Sequence, residues 1–154
     1  MIKIEIGGYN IFFSKKVLND IKNYKQDTKE KNESGGILLG QVLNQNIYVL
    51  KYSDPCKSDK STRYSFERDK KNAQKIINRE FTDSNGKTIY LGEWHTHPEK
   101  SPTPSNQDLK MIKEQFRKNK LNEKFLILFI LGTQNFYIAI YNGKEIISKK
   151  LPLI

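Results

Sequence analysis

Residues 88–108 read TIYLGEWHTHPEKSPTPSNQD, and the rest of the chain can be ordered around this stretch. Its first part, Thr88 to Trp94, is a strand that follows the tight-turn pair Asn85-Gly86. Pro98, Pro102 and Pro104 are three of the chain's five prolines and make His95 to Pro104 a loop. Beyond it Leu109, Ile112 and Phe116 recur at helical spacing, which predicts a helix. The chain's two histidines, His95 and His97, both stand where the strand ends. In an extended chain residues i and i+2 point to the same side, so both imidazoles can converge on one metal ion. Neutral imidazole is a good zinc ligand, and a hydrolytic zinc site uses three protein ligands and keeps a fourth position for water. Asp108, in the first turn of the following helix, is brought back by the proline-rich loop and supplies an oxygen donor. It has a structural alternative: Ser105 and Asp108 have the spacing of a capping box, with Asp a weaker partner than Glu or Gln.

Upstream, Ile2, Ile4 and Ile6 alternate with polar residues, and Gly7-Gly8 turns the chain into a second run from Tyr9 to Phe13, a hairpin. Ser14 reads as an N-cap for a helix with Val17, Leu18, Ile21 and Tyr24 on one face. That helix fades into the polar stretch Gln26 to Asn32. After Gly35-Gly36 the apolar runs Ile37 to Leu43 and Ile47 to Tyr52 flank Asn44-Gln45-Asn46 as another hairpin. Ser53 to Arg63 is a polar loop, Tyr64-Ser65-Phe66 a short strand, and Ala73, Ile76, Ile77 and Phe81 mark a second helix. Downstream, Phe125 to Leu131 is nearly continuously apolar, as for a strand buried on both faces. Phe136 to Tyr141 and Glu145 to Leu151 close the chain as a hairpin through Asn142-Gly143. The fold class is α/β: one domain over residues 1–154 with a mixed, mostly antiparallel sheet flanked by helices.

Bulk composition agrees with that picture. A hydrophobic fraction of 36%, with 8 Phe, 8 Tyr and 1 Trp, suffices for a packed core. No run approaches the roughly 18 apolar residues of a membrane helix, and the N-terminus lacks a signal peptide's apolar stretch, so the expected location is the cytoplasm. The single cysteine, Cys56, excludes an intrachain disulfide framework and fits a reducing compartment. Cys56 has no histidine near it in sequence, which argues against a catalytic thiol. The formal charge of +10 comes mostly from scattered lysines, and only four arginines offer forked phosphate contacts. A solvated basic surface is therefore expected rather than a nucleic-acid face.

His95-Thr96-His97-Pro98, six further residues, and then Ser105-Asn106-Gln107-Asp108 resemble the signature of the JAB/JAMM (MPN-type) zinc metalloproteases. Glu33-Ser34-Gly35-Gly36-Ile37-Leu38-Leu39-Gly40 is similar to the family's other motif, a Glu ahead of a Gly-rich strand. The resemblance implies a single MPN/JAB-like domain of the cytidine-deaminase-like type. It implies that His95, His97 and Asp108 bind Zn²⁺, that Glu33 is the base acting on a water, and that Ser105 donates to the oxyanion. From the residues alone Glu93, at i−2 from His95 on the same strand face, is a rival to Glu33, either as base or as a partner orienting an imidazole. Glu99 is nearer the loop tip and expected in solvent, and Trp94, out of phase with the histidines, is expected in the core.

The substrate class implied is an amide or isopeptide bond after the tail of a ubiquitin-like protein or an E1/E2-like conjugate. Tyr64 to Phe66 is either an edge for such a tail or an ordinary flanking strand. The chain looks most like small stand-alone bacterial members, one branch of which serves anti-phage (CBASS) operons. Alternatives are a peptidase that processes sulfur-carrier proteins and a non-catalytic or DNA-associated JAB-like protein.

Overall fold

A computed structural model describes residues 1–118 and 123–153. In chain order the elements are β1 (Ile2–Ile6), β2 (Tyr9–Phe13), α1 (Lys15–Lys22), β3 (Gly35–Leu43), β4 (Asn46–Tyr52), β5 (Lys60–Ser61) and β6 (Phe66–Glu67). There follow α2 (Lys70–Asp83), β7 (Ile89–Thr96), α3 (Asn106–Lys118), β8 (Leu126–Leu131), β9 (Asn135–Tyr141) and β10 (Ile146–Pro152). The fold is mixed α/β. Eight strands form one sheet in the order β1-β2-β4-β3-β7-β8-β9-β10, and β5 pairs with β6 apart from it. Neighbours run antiparallel except β2 with β4 and β7 with β8. The second parallel pair is joined through α3, as a crossover connection requires. The sheet curls until its edges meet: a Cβ on Gly7 in the β1–β2 turn would lie 3.3 Å from the Ile147 side chain on β10.

Residue chemistry accounts for the elements. The Ser14 hydroxyl caps α1 by accepting from the Val17 amide, and Val17, Leu18 and Ile21 bury the helix's apolar face. Asp69 caps α2 by accepting from the Lys71 and Asn72 amides. Residues of β8 alternate between two cores. Ile127, Phe129 and Leu131 face the main cluster with Val17, Ile21 and Trp94, while Leu126, Leu128 and Ile130 face a second cluster with Ile112 of α3. Burial on both sides is why the sequence there is uninterruptedly apolar. Ala73 of α2 packs on Ile37 and Leu39 as a smaller cluster. No helix among the described residues is long and apolar enough to cross a membrane.

Four elements differ from expectation, the first being β5, Lys60–Ser61, a short strand paired with β6 inside the stretch read as the polar loop Ser53 to Arg63. β7 continues through Thr96, because His95 still pairs with Gly35 across the ladder and the proline-rich loop starts only at His97. The short strand shifts to Phe66–Glu67, since Thr62 and Ser65 close a turn that places Tyr64 at its exposed tip. Phe81 leaves the core and covers Gly86 instead, remaining 42% exposed.

One irregularity positions the site. Leu38 opposes Gly92 while Leu39 opposes Tyr90, so Leu91 is an extra residue in β7. Such a bulge resets the in–out alternation. Leu91 and Trp94 both enter the main core, and Tyr90 and Glu93 meet on the opposite face.

Candidate metal centre

The site forms where β3 begins and β7 ends. Gly35 lies opposite His95 and Gly36 opposite Trp94. A Cβ on Gly36 would fall 2.4 Å from the Ser53 carbonyl oxygen, and one on Gly35 would fall 2.6 Å from both the Phe66 ring and the Trp94 carbonyl. Only glycine lets these chains approach so closely. The residues just before the pair, Glu33 and Ser34, are thereby delivered to the end of the histidine strand. On the other side, the loop after His97 is tied to the β8–β9 turn by the Thr133 and Asn135 amides, which donate to the Glu99 and Lys100 carbonyls. Pro102 packs over Gly132, and the loop returns the chain to the N-terminus of α3.

His95, His97, Asp108 and Glu33 converge and are buried, with exposures of 2%, 5%, 9% and 4%. His97 Nε2 is 3.0 Å from Asp108 Oδ2, and His95 Nε2 is 3.2 Å from Asp108 Oδ1. Glu33 Oε2 stands slightly farther out, 3.9 Å from His97 Nε2. One donor atom each from Glu33, His95 and His97 lies within 4.8 Å of the other two. His95 Nε2 lacks hydrogen-bond alignment with Asp108 despite the short distance, and Glu33 Oε1 has no hydrogen-bond partner among the described residues. Buried polar atoms without partners are costly, and a divalent cation among them would satisfy them together. Imidazole nitrogens with carboxylate oxygens are a suitable donor set for such a cation.

Proton affinities at the site are displaced by the same crowding. Burial pushes the Glu33 carboxyl up to about 8, opposed by His97 and reinforced by Asp108 and Glu99. Burial also works to raise Asp108, but the close approach of the His95 and His97 rings, the charge of His95 and the Ser105 amide prevail and hold it far below the usual carboxylate range. For His97, burial is outweighed by the pull of Asp108, Glu33 and Glu99, and its imidazole is raised.

The capping alternative for Asp108 is present as well. The Ser105 amide donates to Asp108 Oδ2 at 2.9 Å and the Asp108 amide donates to Ser105 Oγ at 3.1 Å. The box therefore aims the carboxylate that the histidines meet. Ser105 is exposed, and its Oγ acts as an acceptor in this box, so its hydroxyl proton can serve another acceptor.

Glu93 is otherwise engaged. Arg68 Nε donates to its Oε1 at 2.7 Å, and the Tyr90 hydroxyl donates to its Oε2. With its two oxygens held by Arg68 and Tyr90, Glu93 is a structural anchor within the histidine strand. Arg68, Tyr90 and Glu93 also line a groove of 580 Å³ that reaches His95 and Asp108. Glu99 is half exposed, as expected of a loop tip, yet its Oε1 lies 3.3 Å from His97 Nδ1. Trp94 is in the core, its Nε1 donating to the Ser53 carbonyl at 3.1 Å. Cys56 Sγ contacts Ser58 Oγ at 2.8 Å. Two residues that carry no signal in the sequence, Gln26 and Thr96, form a buried link behind the site: Thr96 Oγ1 donates to Gln26 Oε1 at 2.8 Å. A separation of 70 positions leaves no local pattern to read.

Residues 15–144 match the family described as prokaryotic homologs of the JAB domain. A Vibrio cholerae protein named CD-NTase/cGAS isopeptidase is 33% identical over 80% of this chain and 76% of its own length. An Escherichia coli protein of the same name is 31% identical over 92% of this chain and 90% of its own. A solution structure of a Desulfitobacterium hafniense protein superposes with a TM-score of 0.62 at 16% identity, covering 90% of this chain and 89% of that one, a likeness of fold.

Proposed function

Because the chain belongs to the prokaryotic JAB-domain family, we propose that it is a zinc-dependent isopeptidase that releases a ubiquitin-like protein from a conjugated target. The observation that carries this reading is the buried convergence of Glu33, His95, His97 and Asp108, with polar atoms of Glu33 and His95 left unpaired. Donors about 2.0–2.1 Å from a tetrahedral zinc lie roughly 3.3 Å from each other. The two His–Asp separations, 3.0 and 3.2 Å, are close to that spacing. His95, His97 and Asp108 would hold the ion. Zinc held there supplies Lewis acidity, polarising the scissile carbonyl and acidifying water.

The chain's own groups divide the remaining work. Glu33, farther from the histidines than Asp108 is, takes the proton from the attacking water and returns it to the leaving amine as the C–N bond breaks. Its burial suits that task, since a carboxylate with a raised proton affinity is the better base. The Ser105 hydroxyl donates to the oxyanion of the tetrahedral intermediate. By the names its relatives carry, the conjugated target is a nucleotidyltransferase of the CD-NTase/cGAS type, as in anti-phage (CBASS) systems.

The test is purified protein, assayed for metal and for cleavage of a ubiquitin-like protein fused through its C-terminal glycine to a target. About one zinc per chain and a single cut directly after that glycine, read by mass spectrometry, are expected. Absence of zinc, or cuts scattered through unfolded protein, would sink the proposal. The His95→Ala/His97→Ala double variant should lose both metal and cleavage.

A further inference from the structure

Glu33 lies outside any strand or helix, in residues 31–34, yet the proposed base must keep a fixed distance from the metal ligands. Its backbone is held on both flanks. On one side the Glu33 amide donates to the Thr62 carbonyl at 2.8 Å, and the Ser61 hydroxyl donates to the Glu33 carbonyl. On the other, Ser34 and Thr96 are joined twice: the Thr96 amide donates to the Ser34 carbonyl at 2.9 Å, and the Ser34 amide donates to Thr96 Oγ1 at 3.0 Å. Thr96 is the residue between the two histidines and is fully buried on the opposite face of the strand. Its hydroxyl proton goes to Gln26 Oε1 at 2.8 Å. The Gln26 amide nitrogen then donates to the carbonyls of Lys31, at 3.1 Å, and Arg63, at 3.0 Å. One buried glutamine thus ties together the segment leading to Glu33, the β5–β6 turn and the histidine strand.

We propose that Thr96 and Gln26 are positioning residues of the reaction, a clamp that fixes Glu33 relative to His95 and His97 from behind the metal centre. The inference rests on the reading of Glu33 as the base. Both side chains are fully committed: the Thr96 hydroxyl donates and accepts, and the Gln26 amide is engaged at both ends. A polar pair so satisfied inside a core fixes one arrangement, because any other leaves partners bare. Replacing Thr96 by valine keeps the shape and removes the hydroxyl. It leaves the Ser34 amide and Gln26 Oε1 without a partner while the backbone bond from the Thr96 amide to the Ser34 carbonyl survives. Misplacement of a catalytic group by about 1 Å typically costs on the order of a hundredfold in rate.

The experiment uses the full chain carrying Thr96→Val, Thr96→Ser, Gln26→Leu or Glu33→Gln. Three readouts are taken: zinc content, kcat and KM on the ubiquitin-like fusion, and hydrogen exchange of the Ser34 amide in metal-free protein. Thr96→Val and Gln26→Leu are expected to keep wild-type zinc and a KM within about twofold, while kcat falls roughly tenfold to a hundredfold. The Ser34 amide should exchange faster in Thr96→Val, and Thr96→Ser, which restores the hydroxyl, should recover most of kcat. Wild-type kcat in Thr96→Val would overturn the clamp, and so would loss of zinc together with activity, since the residue would then support the ligands instead. Gln26→Leu probes the same clamp from outside the histidine strand, so if one variant misfolds the other still decides. If Glu33→Gln turns over normally, the base reading itself has failed. The exchange data still report whether the link exists.

Discussion

Glu33, the proposed base, shows how a buried site residue can work against the fold. Its carboxyl is buried, lacks a hydrogen bond on Oε1 and lies close enough to Asp108 to feel its charge. A carboxyl raised to about 8 holds its proton in the folded chain where the unfolded chain has lost it. The metal-free protein should therefore lose stability as pH climbs from the ordinary carboxylate range to about 8, a slope that Glu33→Gln lacks. Above that pH the metal-free variant is expected to melt a few degrees higher than metal-free wild type, by roughly 1–2 kcal/mol. The same variant should retain zinc and lose cleavage. Scanning calorimetry with elemental analysis checks both, and loss of zinc would make Glu33 a ligand instead of a base. The histidines and Asp108 are legible in sequence because spacing alone places them: two residues along a strand, then a capped helix start. Glu33 is reached there only through resemblance to a motif, with Glu93 as its rival. Arg68 and Tyr90, which occupy Glu93, lie 25 and 3 positions away from it, on α2's approach and across the bulge.

At the level of elements, Ser105 has an observed duty as the cap of α3 and a proposed one as oxyanion donor, which different substitutions separate. Ser105→Ala removes both the cap and the hydroxyl donor, and should cost about 1 kcal/mol of stability and roughly 10²–10³ in kcat. Ser105→Asp can still cap α3 but offers no proton, so stability should return while kcat does not. Denaturant titration beside steady-state kinetics reads the pair, and recovery of kcat by Ser105→Asp would remove the hydroxyl from the mechanism. Gly36→Ala tests the close approach of β3: its Cβ meets backbone at Ser53, which cannot rotate away. A loss of at least about 1–3 kcal/mol is expected in chemical denaturation. Strands and helices are mostly readable from periodicity, including β8, whose apolar run announces burial on two faces. The Leu91 bulge is not, because one extra residue in an apolar strand leaves the hydrophobic pattern almost unchanged while it turns the histidines toward α3.

Across the whole molecule, a cation that binds only the folded chain should stabilise it by mass action. Zinc is therefore expected to raise the melting temperature further as its excess over Kd grows, with chelation reversing the gain. A melt indifferent to both would argue against a metal centre. The charge of +10 should assist docking of acidic or neutral partners, so kcat/KM is expected to fall modestly as salt rises; a rise with salt would contradict it. The sequence alone determined the order of the elements apart from the short strand β5, the His-x-His pair, the cap at Ser105 and the family those motifs resemble. All of these depend on residues close together along the chain, where helical and extended geometry dictate what can meet. The tertiary structure alone decided that Glu33 joins the histidines, that Glu93 belongs to Arg68 and Tyr90, and that Gln26 reaches Thr96. Most of those contacts bridge tens of residues, and which buried polar group finds which partner is settled only when the strands pair and the core closes around them.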